Sequence, residues 1–349
     1  MRHARGPVSS MARHVAHALV RSAEFVVTIA LVFVMLPIWL FPRRSAVTLG
    51  RIYGRIVGAC WPAARRVAMI NLRRAYGRTM TRAIARRWTL QIFGHLGASV
   101  AEGLQAARRI GQRPDGWESA YEPEDPALER RIIEDPRPKI FVTGHLGSWE
   151  VAAILAGRRV GPTGAVIARH IDNPFLNAIV RYIRWGRGSQ WVDKRGATVE
   201  AMARLERGHS VAMLLDENAG RRGIFVDVMG RQASTSKMAA LLSLRTGAPI
   251  VVGAAIHRPA GARPLFRLAL VEPDPLAADP VRALTQRIAS IWDAWVRDTP
   301  LQWRWVHWRW RRRPDGSEET YTRRDLRNCF DADMDPVQPI PCGFAERTR

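Results

Sequence analysis

Cysteine and acidic residues are scarce in this chain. Its three cysteines, Cys60, Cys329 and Cys342, are odd in number, widely separated and outside any C-x-x-C pattern. The sequence therefore indicates neither a disulfide framework nor a zinc site, and it favours a reducing compartment. The 349 residues include 31 acidic residues against 54 basic ones, a formal net charge of +23, and nearly all of the basic residues are arginine. Such an excess implies an anionic partner, either nucleic acid, anionic lipid or an acidic protein, which charge alone does not distinguish.

The stretch at residues 25–41, FVVTIALVFVMLPIWLF, holds 17 residues without a charge. This length is the short limit for crossing a bilayer core of about 30 Å. The stretch can cross the bilayer, embed in it, or form a buried helix of a soluble domain. A cleaved signal peptide is disfavoured because FPRRSAVTLGR follows and offers no small-x-small site. We expect a retained N-terminal membrane-anchoring helix.

Residues 42–87 contain twelve arginines and no acidic residue. An arginine excess beside an apolar segment favours the cytoplasmic side of a membrane, so we expect the main body of the protein to face the cytoplasm. Arginines near the surface are also attracted to anionic headgroups, by about 1 kcal/mol each.

Segments typical of strands alternate with segments typical of helices from residue 139 onwards. KIFVTG, GAVIAR, QWVD, SVAMLLD and PIVVGAAIHR read as strands, with SWEVAAILAG, PFLNAIVRYIRW, ATVEAMARLERG and SKMAALLSLRTG as the helices between them, and LFRLALVE as a last strand. This alternation predicts an α/β fold with a central, mostly parallel sheet flanked by helices. Residues 70–104, with apolar residues at four-residue intervals, read as helical.

The stretch TGHLGSWE places His145 and Glu150 directly after a predicted strand. On a continuous helix the two side chains would point about 140° apart, so a turn at Gly144 and Gly147 must separate them, with Ser148 as the N-cap of the next helix. The carboxyl end of a strand is where open α/β sheets place their ligands. Glu150 could then hold one imidazole nitrogen and leave the other as a general base for a substrate hydroxyl, which suits acyl transfer. The alternative is a glycine turn with a capping glutamate and an incidental histidine.

Five blocks occur in the order found in one enzyme family. They are GHLGSWE, matching H-x4-E; ARHIDNPFLNAIVRYIR, matching R-x-x-D-N-P-x-L; LLDENAGRRGIFVDVMGRQASTS, matching D-x-x-x-G…FV-x-F-F-G…A-T-T-T; LSLRTGAPIVVG; and WRWVHWRWRRRPDG. With these blocks the chain resembles the late (secondary) acyltransferases of lipid A biosynthesis, of the lauroyl and myristoyl transferase type. That family belongs to the wider H-x4-D/E lysophospholipid acyltransferases, with a glycerolipid acyltransferase-like fold. Glu217 and Lys237 depart from the family pattern and put local substrate contacts in doubt.

The resemblance implies three catalytic residues. His145 would deprotonate a hydroxyl of a 3-hydroxyacyl chain on a lipid A precursor, Glu150 would orient and charge the imidazole, and Arg169 would stabilise the oxyanion. The acyl donor would be an acyl carrier protein thioester or acyl-CoA, and neither a cofactor nor a metal is implied. Arg169 also reads as a plain surface arginine.

Four further residues are candidates for substrate binding: Asn173, Arg181, Asp216 and Arg309. Asn173 equally suits a turn in which its side chain bonds the backbone. Asp216 suits either a partner for a basic residue or a loop cap. Residues 158–195, with eight basic residues against two aspartates, suit lipid phosphates or the acidic face of acyl carrier protein, although a solvated basic face is the plain alternative.

Tryptophans and arginines interleave near the C-terminus, at Trp303, Trp305, Trp308 and Trp310. Such a cluster suits a nucleic-acid platform or a membrane-interface belt, and beside an anchor we expect the belt and no nucleic acid. His307 within it is expected to be structural.

Together these features predict an inner-membrane acyltransferase with its catalytic domain in the cytoplasm. We expect a basic segment, an anchor, membrane-proximal helices, an α/β catalytic domain and a polar tail at residues 1–24, 25–41, 42–110, 111–316 and 317–349. Two alternatives stay open: acylation of another anionic glycolipid, such as a phosphatidylinositol mannoside, and a non-catalytic basic membrane-binding protein.

Overall fold

A computed structural model describes residues 7–112, 120–185, 190–193, 196–258 and 262–331 of the chain. The helices are α1 (Pro7–Leu40), α2 (Arg43–Cys60), α3 (Pro62–Tyr76), α4 (Arg82–Gln112), α5 (Pro126–Glu134), α6 (Trp149–Val160), α7 (Pro174–Trp185), α8 (Ala197–Glu206), α9 (Met238–Thr246), α10 (Pro280–Asp298) and α11 (Arg323–Asp331). The strands are β1 (Glu122–Pro123), β2 (Ile140–Thr143), β3 (Ala165–Ala168), β4 (Gln190–Asp193), β5 (Val211–Leu214), β6 (Ile224–Val228), β7 (Arg231–Thr235), β8 (Ile250–Ile256) and β9 (Leu265–Val271).

Seven strands form the central sheet, in the order β1-β9-β8-β2-β5-β3-β4. Every neighbouring pair is parallel except β8 and β9. The α/β fold with a mostly parallel sheet flanked by helices is therefore confirmed. Because β8, β2, β5 and β3 run in the same direction, their carboxyl ends meet at one edge of the sheet, which we call the active edge.

A separate hairpin of β6 and β7 was not predicted. Its two-residue turn is Met229 and Gly230, both with positive φ (54° and 75°), which matches the right-handed twist of paired strands. The strands alternate polar and apolar residues too irregularly for the pattern to stand out from a loop.

The helices of residues 43–112 belong to the same core as the sheet. Trp88 and Ile92 of α4 lie in the hydrophobic cluster that also contains the sheet residues Ile140 and Val252. The predicted helix over 70–104 is interrupted at residues 77–81, between α3 and α4. Helix α2 packs closely on α4 because a β-carbon at Gly54 would lie 2.0 Å from the carbonyl oxygen of Phe93, so only glycine fits there.

The segment predicted to be a polar tail is partly packed. Helix α11 lies against α3, where Arg73 donates to the carbonyl of Cys329 at 2.9 Å and stacks over the ring of Phe330. Tyr321 and Glu319 are buried. Residues 317–331 of the predicted polar tail are therefore attached to the body, because Tyr321 and Cys329 pack with apolar residues of α3. Residues 332–349 lie outside the described residues.

Candidate active site

His145 and Asp216 meet at the active edge. The paired strands β2 and β5 are in register at Thr143 and Leu214, and each candidate residue lies two positions further along its own chain. The Nδ1–H of His145 lies 2.8 Å from one carboxylate oxygen of Asp216, and the backbone N–H of His145 donates to the other at 2.8 Å. Gly144 permits this approach, because a β-carbon there would lie 2.8 Å from the Asp216 carboxyl carbon.

Asp216 is buried and held ionised. The indole N–H of Trp303 is a third donor to its carboxylate, at 3.1 Å. Burial alone would raise the pKa of this carboxyl, but the charge and hydrogen bonds of His145, with the charge of Arg304, hold the pKa well below its usual range. An ionised carboxylate on Nδ1 fixes the tautomer in which Nε2 of His145 carries a lone pair. Among the described residues none bonds Nε2, and the ring is 14% exposed.

Glu150 does not hold the imidazole, so the predicted His145–Glu150 pairing is wrong. In the first turn of α6, Glu150 accepts two hydrogen bonds from the guanidinium of Arg184 on α7, at 2.8 and 2.6 Å, and one from the indole of Trp149 at 3.0 Å. The flat fork of Arg184 matches a carboxylate better than one imidazole nitrogen does. Although burial opposes it, Arg184 lowers the pKa of Glu150, and the nearby charge of His145 adds to this.

The turn between His145 and α6 is fixed by β8 and by the segment around residue 302. Gly147, at φ 63°, donates to the carbonyl of Gln302 at 3.0 Å, and its missing side chain lets the carbonyl of Ala255 approach. The N–H of Ser148 donates to the same Ala255 carbonyl at 2.6 Å, and Arg304 donates to the carbonyl of His145 at 3.0 Å. The histidine is therefore held on a rigid turn.

Ser148 does not cap α6 with its side chain. Its hydroxyl donates to the buried carboxylate of Glu102 and also contacts Nδ1 of His257 at 3.0 Å. Glu102 in turn pairs with that nitrogen of His257 at 2.7 Å and with Arg43 at 2.6 Å. These four residues form a buried polar cluster beneath the catalytic turn, which no local sequence pattern indicates.

The other predicted catalytic residue, Arg169, follows β3 at the active edge and is exposed. Its side chain makes no hydrogen bond or ion pair with the described residues. This placement fits either a substrate contact or a surface arginine. Arg181 of α7 is also exposed, and its guanidinium stacks over the ring of Trp191 at 5.1 Å.

Asn173 forms structural contacts rather than an open binding site. Its side-chain oxygen accepts from the N–H groups of Phe175 and Leu176 and so caps α7. Its amide donates to the carbonyl of Glu24 and the hydroxyl of Thr28 on α1, both at 3.0 Å. The turn-forming alternative is therefore the better account of this residue.

Arg309, a predicted substrate-binding residue, is buried and bonds the protein itself. It donates to the carbonyl of Ser234 at 2.7 Å and the hydroxyl of Thr235 at 2.6 Å, and burial lowers its pKa to about 10. His307 nearby accepts the N–H of Asn218 on Nε2 at 2.8 Å, and burial lowers its pKa to about 4. Arg309 thus ties the C-terminal segment to the hairpin, and His307 has the structural position expected of it.

The tryptophan cluster is mostly core. Trp303, Trp305 and Trp310 are buried and pack edge to face or tilted on one another, whereas Trp308 is exposed. The predicted interface belt is therefore wrong for three of the four rings. The interleaved arginines suggest a surface position for these tryptophans. Arg309 is itself buried, however, so an arginine beside a tryptophan does not place the ring at the surface here.

Two residues of the site were missed. Arg184 was not singled out, because a single arginine on a basic helix carries no mark of its carboxylate partner. The sequence pattern placed Trp303 in a membrane-interface belt rather than beside Asp216.

Glu217, which departs from the family pattern, forms an ion pair with Arg304. Within the described part of the chain, no group of three or more His, Cys, Asp or Glu side chains is placed to hold a metal ion.

A small recess of about 30 Å³ lies behind Asp216. Its walls include Leu215, Trp303, Ile288 and Trp292, with Arg309 and Asp293 as charged members. This volume is enough for about one or two water molecules and not for a fatty acyl chain.

A histidine whose Nε2 is bonded by none of the described residues, with an ionised carboxylate behind it, fits a general base for a hydroxyl that the substrate supplies. The family model for bacterial lipid A biosynthesis acyltransferases matches residues 16–312. The chain belongs to this family. No curated protein matches the chain significantly.

This lipid A biosynthesis acyltransferase is thus an enzyme that takes an acyl donor and a lipid A acceptor. The matched range contains His145, Asp216, Glu150, Arg184 and Trp303. It also contains the apolar stretch Leu19–Leu40 of α1, which is long and apolar enough to cross a membrane by length and composition. That stretch is by itself weak support for a membrane anchor, and it is consistent with the family's association with membranes.

Proposed function

We propose that the enzyme transfers a fatty acyl group from an acyl carrier protein thioester to the hydroxyl of a 3-hydroxyacyl chain on a lipid A precursor. It works at the cytoplasmic face of the inner membrane. The observation that carries the proposal is the pairing of His145 with Asp216, which leaves Nε2 without a bond from any described residue at a partly exposed position.

The chemistry follows from that pairing. Nε2 of His145 takes the proton of the acceptor hydroxyl as its oxygen attacks the thioester carbon. The resulting imidazolium is stabilised by the carboxylate of Asp216, which remains ionised throughout the step. The tetrahedral intermediate then expels the donor thiolate, which takes the proton from Nε2, and an ester remains on the acceptor.

Glu150, with Arg184 as its partner, takes a different part from the one the sequence indicated for it. Their partly exposed ion pair joins the start of α6 to α7, so it fixes the wall of the site next to His145. Glu150 and His145 also interact electrostatically, which helps to lower the pKa of Glu150 and keep it ionised. We therefore assign Glu150 an indirect electrostatic effect and a positioning effect.

The basic side chains at the active edge support an anionic donor or acceptor. Arg169 and Arg181 are exposed at or near that edge, where they suit the phosphates of the acceptor or the acidic surface of acyl carrier protein. Arg169 is the candidate for stabilising the oxyanion, because it follows the strand next to β5 and has no hydrogen-bond or ion-pair partner among the described residues.

The full-length enzyme in detergent tests the proposal. It is incubated with acyl carrier protein thioesters and either a lipid A precursor or a phosphatidylinositol mannoside, and the acylated product is measured by mass spectrometry. We expect product only with the lipid A precursor, and His145→Ala should abolish it while lipid binding stays nearly intact. His209→Ala, at a half-buried histidine before β5, is the matched control.

Acylation of the mannoside alone would assign the enzyme to another glycolipid. Unchanged transfer by His145→Ala would remove this histidine from the mechanism. If no acyl carrier protein thioester gives product while lipid binding is strong, the proposed donor is wrong.

A further inference from the structure

Helix α1 is attached to the folded body along its apolar part. Only a narrow stripe of residues Leu19–Leu40 is covered, and most of the remaining circumference is exposed. The covered stripe includes Thr28 and Ile38, which are 2% and 1% exposed. The helix therefore does not project away from the protein as a free anchor would.

The first attachment is to the loop before α7. Asn173 donates to the carbonyl of Glu24 and to the hydroxyl of Thr28, and the rings of Phe25 and Phe175 meet edge to face at 5.3 Å. This loop follows Arg169, so the N-terminal part of the apolar helix lies beside the active edge.

The second attachment is to α4, near the end of the helix. Gln105 donates to the carbonyls of Ile38 and Phe41, and Arg108 donates to those of Trp39 and Leu40. These carbonyls are the ones that a helix end leaves without an intrahelical partner. The contacts are therefore a C-terminal cap supplied by the body.

These attachments are incompatible with an upright, spanning helix. Residues 24 and 41 are separated by about 25 Å of helix at 1.5 Å per residue, against a hydrocarbon core of about 30 Å. An upright helix would carry the polar surface around Asn173 and Arg108 through most of the bilayer. Charged and polar groups are strongly disfavoured there.

The charges on both sides of the apolar helix also disfavour a spanning arrangement. Residues 1–24 contain four arginines and one acid, and residues 42–55 contain four arginines and no acid. Basic segments beside a membrane helix are favoured on the cytoplasmic side. A spanning helix would place one of these two basic segments on the opposite side of the membrane.

The exposed apolar surface continues from α1 onto α2. Ile52, Ile56 and Val57 are 46%, 56% and 50% exposed, on the side away from the glycine face that packs on α4. Trp61 follows them and is also exposed. Arg44 and Arg55 are exposed on the same helix, which places cations where anionic headgroups would lie.

We propose that α1 lies in the cytoplasmic leaflet without crossing the bilayer, and that the outer face of α2 enters the same leaflet. The partner is an anionic lipid surface. The N-terminus and the catalytic body are then on one side of the membrane. The inference takes the membrane face from the proposed function, but its test does not depend on catalysis.

The test is labelling of single cysteines in membrane vesicles. All three native cysteines are replaced by serine in the full chain, and Ser9→Cys, Ile56→Cys and Ile133→Cys are introduced one at a time. Ser9 lies in the first turn of α1. Ile133 of α5 is 56% exposed, the same as Ile56, and is the matched aqueous control. A charged, membrane-impermeant maleimide is added to sealed vesicles of both orientations, with and without detergent.

We expect Ser9→Cys and Ile133→Cys to be labelled from the same, cytoplasmic face. Ile56→Cys should be labelled only after detergent is added. Labelling of Ser9→Cys from the face opposite to Ile133→Cys would show a spanning helix and overturn the proposal. Labelling of Ile56→Cys without detergent would remove α2 from the lipid contact.

A crosslink between Phe25→Cys and Phe175→Cys, made with a short membrane-permeant bifunctional maleimide, tests whether the docked state exists in the membrane. We expect the crosslink to form in vesicles, and its absence would also overturn the proposal. Because none of these readouts measures acyl transfer, a protein without the proposed activity would still report its topology.

Discussion

Replacing Asp216 by asparagine should almost abolish turnover while leaving the fold intact. The carboxylate accepts three hydrogen bonds, two from His145 and one from Trp303. An amide has one acceptor oxygen, which can keep the backbone N–H of His145 and the indole of Trp303. Its NH2 group then faces Nδ1 of His145 and donates to it. The imidazole is forced into the tautomer with the proton on Nε2, which cannot act as a base.

The expected loss is large because the variant has the wrong tautomer and lacks the charge that stabilises the imidazolium. In serine proteases the same aspartate-to-asparagine change lowers kcat by about 10⁴-fold. A loss of that size is about 5.4 kcal/mol of transition-state stabilisation. The low pKa of Asp216 shows that the native site favours the charged carboxylate. The effect should fall on kcat, because the carboxylate acts through the imidazole that it orients.

Initial rates with a saturating acyl carrier protein thioester, over a range of acceptor concentrations, separate kcat from KM. Asp274→Asn, at an exposed aspartate after β9, is the matched control. Glu150→Gln is the contrasting variant, since it keeps one acceptor oxygen for Arg184 and should lose far less activity. The double variant of His145→Ala with Asp216→Asn should be no worse than His145→Ala alone.

Two results would refute this reasoning. Asp216→Asn could retain a tenth or more of the native kcat, in which case the carboxylate does not set the tautomer. Glu150→Gln could instead show the larger loss, and the pairing expected from the sequence would then describe the working enzyme better than the structure does.

Two further predictions concern stability. Burial raises the pKa of Asp293 to about 6, so its carboxyl opposes folding more and more as pH rises from about 4 to 6. Asp293→Asn keeps an acceptor for the N–H of Met229 and should stabilise the protein by up to about 3 kcal/mol at pH 8 and by little at pH 4; equal changes in Tm at both pH values would contradict this. Gly54→Ala should cost about 1–3 kcal/mol, because its β-carbon would strike the carbonyl of Phe93. The matched variant Gly94→Ala should cost less, because the nearest atom to its β-carbon belongs to the flexible side chain of Arg55, at 3.3 Å, and the carbonyl of Arg51 is at an ordinary contact distance of 3.6 Å. Thermal unfolding of Gly54→Ala and Gly94→Ala tests the close packing of α2 on α4. We expect the lower Tm for Gly54→Ala, and equal Tm values would contradict the packing argument.

Period and alternation in the sequence were enough to predict the α/β fold. Strands such as IFVT and IVVGAAI are continuous apolar runs between helices, which is how buried parallel strands look. The order of the strands in the sheet could not be predicted, because no local sequence pattern identifies the neighbours of a strand. That order decides the partner of His145, since β5 lies next to β2 and brings Asp216 opposite the histidine.

Glu150 was a reasonable but mistaken partner for the same reason. Its closeness in sequence is visible, whereas Arg184 approaches from another helix and is visible only in three dimensions. The tryptophans show a related limit. Tryptophan alternating with arginine occurs in a membrane-interface belt. The same pattern also occurs in a core whose arginines donate to buried carbonyls, as Arg309 does, so the pattern does not distinguish the two.

The buried cluster beneath the catalytic turn has a practical consequence for the N-terminal region. Arg43 bonds Glu102, and Glu102 bonds Ser148, three residues after His145. A version of the enzyme cut back to remove α1 and α2 would also take away the cation that neutralises this carboxylate. Solubility gained in that way should therefore come with a disturbed histidine turn, and detergent around the intact chain is the sounder route to an active preparation.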